Sequence, residues 1–277
     1  MANPLTMKLE QLVKFNPEER QRLDQLLAYP TATYKRGAKI LSEGEKVNMI
    51  HLVLAGLAAR SKTLSSGNRQ LMGFMIPGDL FDVEVFVLEA MDHDVIALTE
   101  TTCTVFPAAV IEGILTESTK LTKALWWSTM TDSSVLREWV VNHGSRGSLE
   151  RIAHLMCEML IRYRIIGEAT DDALPFPLTQ EDLADATGMT AVHVNRIVKQ
   201  LRAEGLIDLR RRVLKVLDPQ LLLKVASYNS AYLHLTRTER RDDLVSEHAA
   251  DLVDPSELGA LRDTTDTIKS MFRKTER

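Results

Sequence analysis

Hydrophobic positions along this 277-residue chain follow three successive rhythms. Before Thr31 one short helix is predicted, with Asn16 as cap and Pro17 at its first position ahead of EERQRLDQLL. From Thr31 to Phe81 the apolar residues come in short runs. Glycine turns break them at Arg36-Gly37, Glu43-Gly44, Ala55-Gly56, Ser66-Gly67-Asn68 and Pro77-Gly78-Asp79. Turn signals at intervals of about eight to twelve residues predict a β-sandwich or barrel rather than a βαβ sheet. Beyond residue 108 the period is helical, and Ile111, Ile114 and Leu115 predict a short closing helix. Leu121, Leu125, Ser128, Asp132, Val135 and Trp139 then recur at steps of four and three, the spacing of a coiled-coil seam. A second apolar line through Trp127, Met130 and Val140, with Trp126 and Leu136 nearby, predicts burial on more than one side.

Asn142 to Ser148 has the composition of a hinge. The helix predicted from Ser148 to Tyr163 carries Ile152, Leu155, Met156, Met159 and Leu160 as its buried stripe, and Asp171 to Pro177 reads as a loop. The stretch Leu178 to Lys215 is the most informative. Thr179 is a cap type, Glu181 and Asp182 place negative charge in a first helical turn, and Gly188 ends that helix. After Met189, Thr190 caps a second helix whose buried face is Val194, Ile197, Val198 and Leu201; His193, Asn195, Arg196, Lys199 and Arg202 lie on its other faces. Gly205 stops it, and LIDLRRRVLKVL reads as two strands around a basic turn at Arg210, Arg211 and Arg212. This is the pattern of a helix-turn-helix with a wing. A further helix is predicted over DPQLLLKVASYNSAYLHL, with Asp218 as cap and Pro219 at its first position.

Charge turns this pattern into a function. The chain is acidic overall, at −4, yet Arg196 to Lys215 holds seven Lys or Arg against Glu204 and Asp208. Positive charge concentrated on one element suits phosphate neutralisation, and polar side chains early in a second helix suit base edges in the major groove, so double-stranded DNA is the expected partner. Aromatic residues make up only 5%, which argues against a stacking surface for single strands. No apolar segment is long enough to predict a membrane span, no leader pattern is present, and two cysteines, Cys103 and Cys157, give no disulfide framework; a cytoplasmic location is expected. No zinc-ligand spacing and no nucleophilic or carboxylate frame is recognisable, so an enzyme is not expected.

The segment GMTAVHVNRIVKQLRAEGLI resembles the helix-turn-helix of the CRP/FNR superfamily of bacterial transcription regulators. The resemblance extends upstream to that family's cyclic-nucleotide-binding β-roll, through Gly37, Ile40, Gly44 and Glu45 and through Pro77, Gly78 and Asp79, and covers roughly residues 15 to 220. It implies an α+β fold with an effector-type β-roll (1–115), a dimerisation helix and hinge (116–146) and a winged helix-turn-helix domain (147–220). Residues 221–277 are then a helical extension that the family does not explain, in which Leu258, Leu261, Ile268, Met271 and Phe272 can share one helix face. A homodimer on a palindromic site is implied, with RNA polymerase as a further partner.

Carried over residue by residue, Thr179, Gln180 and Thr190 match family positions that touch phosphates, and Arg196 matches its guanine-reading arginine. The family's usual Glu is Val192 and the residue before it is Ala191, so these two can at most touch thymine methyls; His193 and Asn195 become added polar candidates. The effector pocket departs further. Asp82 and Val83 stand where cyclic-AMP binders have Gly-Glu, and His93 and Asp94 where they have the Arg-Ser pair that holds the phosphate. Binding of cyclic AMP or cyclic GMP in the family's manner is therefore not expected. Phe81, Val83, Val85, Phe86 and Val87 either line a pocket for a less charged ligand or belong to the core. An iron–sulfur cluster would need about four cysteines. Haem would need an axial ligand from His51, His93 or Cys103, and neither cofactor is expected. The competing reading is a ligand-sensing or protein-docking module that has lost sequence-specific DNA binding.

Overall fold

The computed structural model describes residues 3–46, 48–81, 83 and 90–235. The extension beyond Leu235, Asp82, and the run Val85, Phe86, Val87 lie outside the described residues. Eight short strands form two four-stranded antiparallel sheets. In one, β1 (Thr31–Tyr34), β8 (Thr101–Pro107), β3 (Met49–Ala55) and β6 (Leu80–Phe81) lie side by side in that order; in the other, β2 (Lys39–Leu41), β7 (Asp94–Ala97), β4 (Ala58–Thr63) and β5 (Arg69–Met75) do. Ile40, Val53, Met75, Phe81, Val95 and Cys103 fill the space between the sheets. Glycine is required at two of the predicted turns. At Gly56 (φ +89°) a Cβ would meet the Glu100 carbonyl oxygen at 2.2 Å, and at Gly78 (φ +90°) the Pro4 carbonyl oxygen at 2.7 Å.

The contact at Gly78 comes from a helix that sequence pattern does not reveal, α1 (Pro4–Leu9). Six residues cannot sustain a helix alone. Asn3 caps it and also donates to the Leu23 carbonyl, while Leu5 and Leu9 are fully buried against the roll. The predicted helix follows as α2 (Pro17–Gln25), where Asn16 and Glu19 cap reciprocally. Then α3 (Ala108–Glu117) closes the roll and α4 (Thr119–Ser145) runs along it, followed after Arg146-Gly147 by α5 (Ser148–Ile165).

The expected seam of α4 is corrected by the structure. Leu121, Leu125, Ser128, Val135 and Trp139 are buried within their own chain, against the roll, α1 and α5. Trp139 donates its indole N–H to Glu158 Oε2 (3.1 Å) and meets Phe74 edge to face. The second line divides: Trp127 is half-buried against the cluster around Leu5, Leu52 and Leu121, whereas Trp126 (65%), Met130 (51%), Leu136 (48%) and Val140 (67%) face outward. Trp126, Met130, Arg137 and Val140 share one stripe of the helix, with Ser133 between. Two faces of one helix both read as apolar, and only the sheet decides which is covered from within.

A compact helix-turn-helix unit follows. The segment expected as a loop contains β9 (Ala173–Pro175), which pairs with β11 (Val213–Val216), itself paired with β10 (Ile207–Arg210). Such a short strand exists only through its long-range partner, which local pattern cannot supply. Between them lie α6 (Gln180–Thr187) and α7 (Ala191–Ala203). Helix α8 (Pro219–Val225), capped by Asp218 as expected, stops early, where Ser227 takes a left-handed φ of +47°. The chain then doubles back to α4 through a 3-10 turn, Ser230–Leu233. Tyr232 donates its hydroxyl to Glu158 Oε2 (3.1 Å), His234 Nε2 lies 3.0 Å from the Ser134 hydroxyl, and Leu233 and Leu235 are buried.

One ionic joint links these parts. Asp79, buried in the Pro-Gly-Asp turn, accepts from Lys8 Nζ (2.7 Å), the Ile76 N–H (2.8 Å) and Arg162 Nη2 of α5 (2.7 Å). Burial alone would push its carboxyl upward, but Lys8 and Arg162 outweigh that and hold it below its ordinary value. Glu158, one turn before Arg162, is pushed upward by burial despite Arg162, Trp139 and Tyr232.

If the exposed stripe of α4 is the twofold seam, Val140→Asp should weaken dimerisation by about 2 kcal/mol or more, as central interface residues do. Sedimentation would show a monomer whose circular dichroism melt is little changed. Leu125→Asp should instead unfold the chain.

Candidate nucleic-acid interface

The turn between α6 and α7 is built by three local devices. Thr179 accepts the Asp182 N–H (3.1 Å) and donates its hydroxyl to Asp182 Oδ2 (2.7 Å). Gly188 takes φ +67°, and Thr190 accepts the His193 N–H (3.2 Å) to start α7. Val194, Ile197 and Leu201 of α7 are buried against the domain core. The opposite face is open: Val192 (82% exposed), Arg196 and Lys199 stand at steps of four and three on one stripe, with His193 and Asn195 beside it, half-buried. These sequence-predicted residues are thus brought together on one helix surface.

Two assignments change in detail. Arg196 Nη2 donates to His193 Nδ1 at 3.1 Å, and His193 Nε2 is buried without a partner, so in this arrangement His193 orients the arginine rather than presenting a ring nitrogen outward. The Thr179 hydroxyl proton is committed to Asp182. Of the three phosphate candidates, Thr190 donates its hydroxyl proton to no acceptor among the described residues, and Gln180 is exposed at the first position of α6.

The wing places its arginines unequally. Arg210 Nε donates to Asp208 Oδ1 (2.9 Å), and Arg202 approaches the same oxygen at 3.5 Å. Arg211 and Arg212 form the two-residue tip between Arg210 and Val213, which are paired; both are exposed and both have positive φ, +50° and +64°. Positive φ at both central residues is the type I′ pattern, which favours Asn-Gly over side chains such as arginine. The tip is braced by the Phe176 N–H, which donates to the Arg212 carbonyl (2.8 Å).

The predicted effector residues do not converge. A cavity of about 480 Å³ lies between β4, β5, α4 and the loop at Met91–His93, and of the four candidates only His93 lines it. Phe81 is core, stacked on His51 with ring centroids 5.0 Å apart. Val83 faces a separate small recess near Leu80 and Leu125. Asp94, expected to face the ligand, turns away: it is buried, ion-paired to Lys39 (2.8 Å) and accepting the Glu43 N–H (2.9 Å). Burial opposes its charge, and these two donors outweigh burial to keep its carboxyl below the ordinary value. Cations that sequence reading did not single out, Arg60, Lys62 and Arg162, line the cavity, each ion-paired to an acid: Asp132 (3.4 Å), Glu43 (2.6 Å) and Asp79 (2.7 Å). Arg162 reaches the cavity from α5, a long-range placement with no local signal. Cys103 and Cys157 are buried in different clusters, and burial pushes the Cys157 thiol well upward.

Comparison with known proteins matches both halves. Residues 31–118 match the cyclic nucleotide-binding domain and residues 150–225 the Crp-like helix-turn-helix domain. The transcriptional activator protein FnrL of Cereibacter sphaeroides is 28% identical over 220 residues, spanning 77% of this chain and 86% of its own. The nitrogen fixation regulation protein FixK of Rhizobium meliloti is 28% identical over 194 residues, spanning 69% and 84%. Among solved structures, FixK2 from Bradyrhizobium japonicum superposes with a TM-score of 0.65 at 22% identity, covering 72% of this chain and 98% of that one. A CRP-family transcriptional regulator from Thermus thermophilus superposes with 0.57 at 20% identity, covering 71% and 97%.

Replacing the wing tip with the residues its backbone favours, Arg211→Asn with Arg212→Gly, should stabilise the domain by about 1 kcal/mol while removing two cations. If both arginines meet phosphates, the slope of log affinity against log salt should shrink by roughly two for each subunit, about four for a dimer on its palindrome. Calorimetry and salt-titrated DNA binding would check the two halves separately.

Proposed function

This chain belongs to the CRP/FNR superfamily of bacterial transcription regulators, and from that membership we propose that it binds a palindromic duplex site as a homodimer, through α7 and the wing. It is a sequence-specific DNA-binding transcription regulator. The observation that carries the reading is the division of α7 into a buried face and an open one bearing Val192, Arg196 and Lys199. Arg196 is the guanine reader, through the two parallel N–H groups a guanidinium offers to O6 and N7. Val192 contacts a thymine methyl, Asn195 an adenine edge, and Lys199, Thr190, Gln180 and the wing arginines the backbone. Because FnrL is a transcriptional activator by name, contact with RNA polymerase is inferred as well. Among the described residues no helix is long and apolar enough to cross a membrane, in keeping with a regulator that works on DNA in the cytoplasm.

The sensor is read as diverged. Asp94 is committed to Lys39, no Arg-Ser pair stands at the phosphate position, and the cavity's three cations are matched by acids. Among the described residues, cyclic AMP therefore meets no unpaired cradle for its phosphate. The residues present do not fit an iron–sulfur cluster either, since the chain holds two cysteines and both are buried apart. His51 is stacked on Phe81 and His93 is hydrogen-bonded to Asp92, which supports a sensor without haem.

Selection from random duplex DNA, with purified protein and no added ligand, should recover a palindrome, and millimolar cyclic AMP should leave its affinity unchanged. Arg196→Ala should lose about 1–3 kcal/mol for each base contact removed and relax the preference at one position of each half-site. An unaltered preference in that variant would remove Arg196 from the reading.

A further inference from the structure

The helix pair that meets DNA is fastened to the sensor roll by charge. Asp182 and Asp185 of α6 face the roll, and Asp182 is 1% exposed. Asp182 Oδ2 receives Arg36 Nη2 (2.6 Å) from the turn between β1 and β2, as well as the Thr179 N–H (2.9 Å). Burial works against its charge, yet these donors hold the carboxyl below its ordinary value. Arg69 of β5 bridges both acids, 2.7 Å to Asp185 Oδ2 and 3.5 Å to Asp182 Oδ1. Gln70 Nε2 donates to the Asp185 carbonyl (2.7 Å) and to His143 Nε2 (3.1 Å) near the end of α4. At the other end of α6, Arg151 donates to the Thr187 carbonyl (2.7 Å) and to the His143 carbonyl (2.9 Å).

These contacts hold α6 at both ends and leave the open face of α7 untouched. They cannot be a cover over the DNA-reading residues. They are also more than a surface pair, because they join three separate elements: the roll, the end of α4 and α6. The covalent connection from α4 to the DNA-binding unit is short, Arg146-Gly147, and does not by itself fix an angle. With the exposed stripe of α4 as the twofold seam of the proposed dimer, whatever sets α6 relative to α4 and the roll also sets the separation of the two recognition helices. Two half-sites read on one side of a duplex require a separation of about 34 Å.

We propose that Arg36, Arg69 and Gln70 are positioning residues for DNA recognition: by clamping Asp182 and Asp185 they fix the half-site spacing that the dimer accepts. The proposal rests on the DNA-binding reading above. It separates two properties that fold stability alone would not separate, affinity for one half-site and selectivity among spacings.

The test uses full-length protein and the selected half-site, presented singly and as palindromes whose spacer varies one base pair at a time. Wild type should prefer one spacing sharply. Arg69→Asp should lower affinity at that spacing by roughly tenfold, within the range of coupling effects of mutations remote from a ligand. Its spacing profile should flatten, while binding to a single half-site stays unchanged at a temperature well below the melting transition. Asp185→Arg alone should behave likewise, and the exchange Arg69→Asp with Asp185→Arg should restore the sharp profile. Arg36→Gln, which leaves the Asp182 cap in place, should flatten it partly. A sharp profile in Arg69→Asp, or an equal loss on single half-sites, overturns the proposal while leaving DNA recognition standing. Wild type without any preferred duplex overturns both.

Discussion

Asp79 is the point at which the molecule becomes one body. Its carboxylate is nearly inaccessible to water, and it is satisfied by three donors from three regions: α1, its own turn, and α5 of the DNA-binding unit. A buried charge of this kind adds little net stability compared with apolar packing, but leaving one partner unmatched costs about 3–5 kcal/mol. Its effect is therefore on arrangement. Any sliding of α5 along the roll parts Asp79 from Arg162 and leaves each with one ionic partner, Lys8 for the acid and Glu158 for the base. Glu158 lies one turn away on the same helix and is kept by Trp139 and Tyr232, so α4 and the returning C-terminal segment are held to the same joint.

Two of the candidate pocket residues in the roll have structural roles. Phe81 packs between the sheets, and Asp94 ties Lys39 to the Glu43 turn. The cavity wall is mostly apolar, and its cations Arg60, Lys62 and Arg162 are each paired with an acid. Arg162 belongs both to the cavity wall and to the Asp79 joint, so the sensor space and the DNA-binding unit share a side chain directly.

The helix-turn-helix was legible in the sequence because its signals are local. Thr179, Gly188, Thr190 and Asp218 act within one turn of their own position, and each does what its residue type suggests. The β-roll was legible through its turn glycines for the same reason. What escaped was decided at a distance. Helix α1 exists because Gly78 admits the Pro4 carbonyl, and β9 because β11 passes beside it. On α4, two apolar stripes of similar strength compete, and the outer one is identified only once the roll and α5 have claimed Leu125, Val135 and Trp139. Asp94 had the right position in the chain but points the wrong way for the pocket, a fact of side-chain direction that spacing cannot carry.

The returning segment after α8 has a consequence for biosynthesis. Leu233 and Leu235 share one small recess with Lys8 and Asp79, so the two ends of the described chain are sealed against each other across more than two hundred residues. Contacts of such long sequence separation form late. On the ribosome the roll can collapse as soon as its strands emerge, but the seat of Lys8 and Arg162 stays wet until the residues around 235 have been made. The nascent protein thus owns a folded sensor before it owns a fixed DNA-binding orientation, and among the described residues the last to be made close the joint rather than either domain.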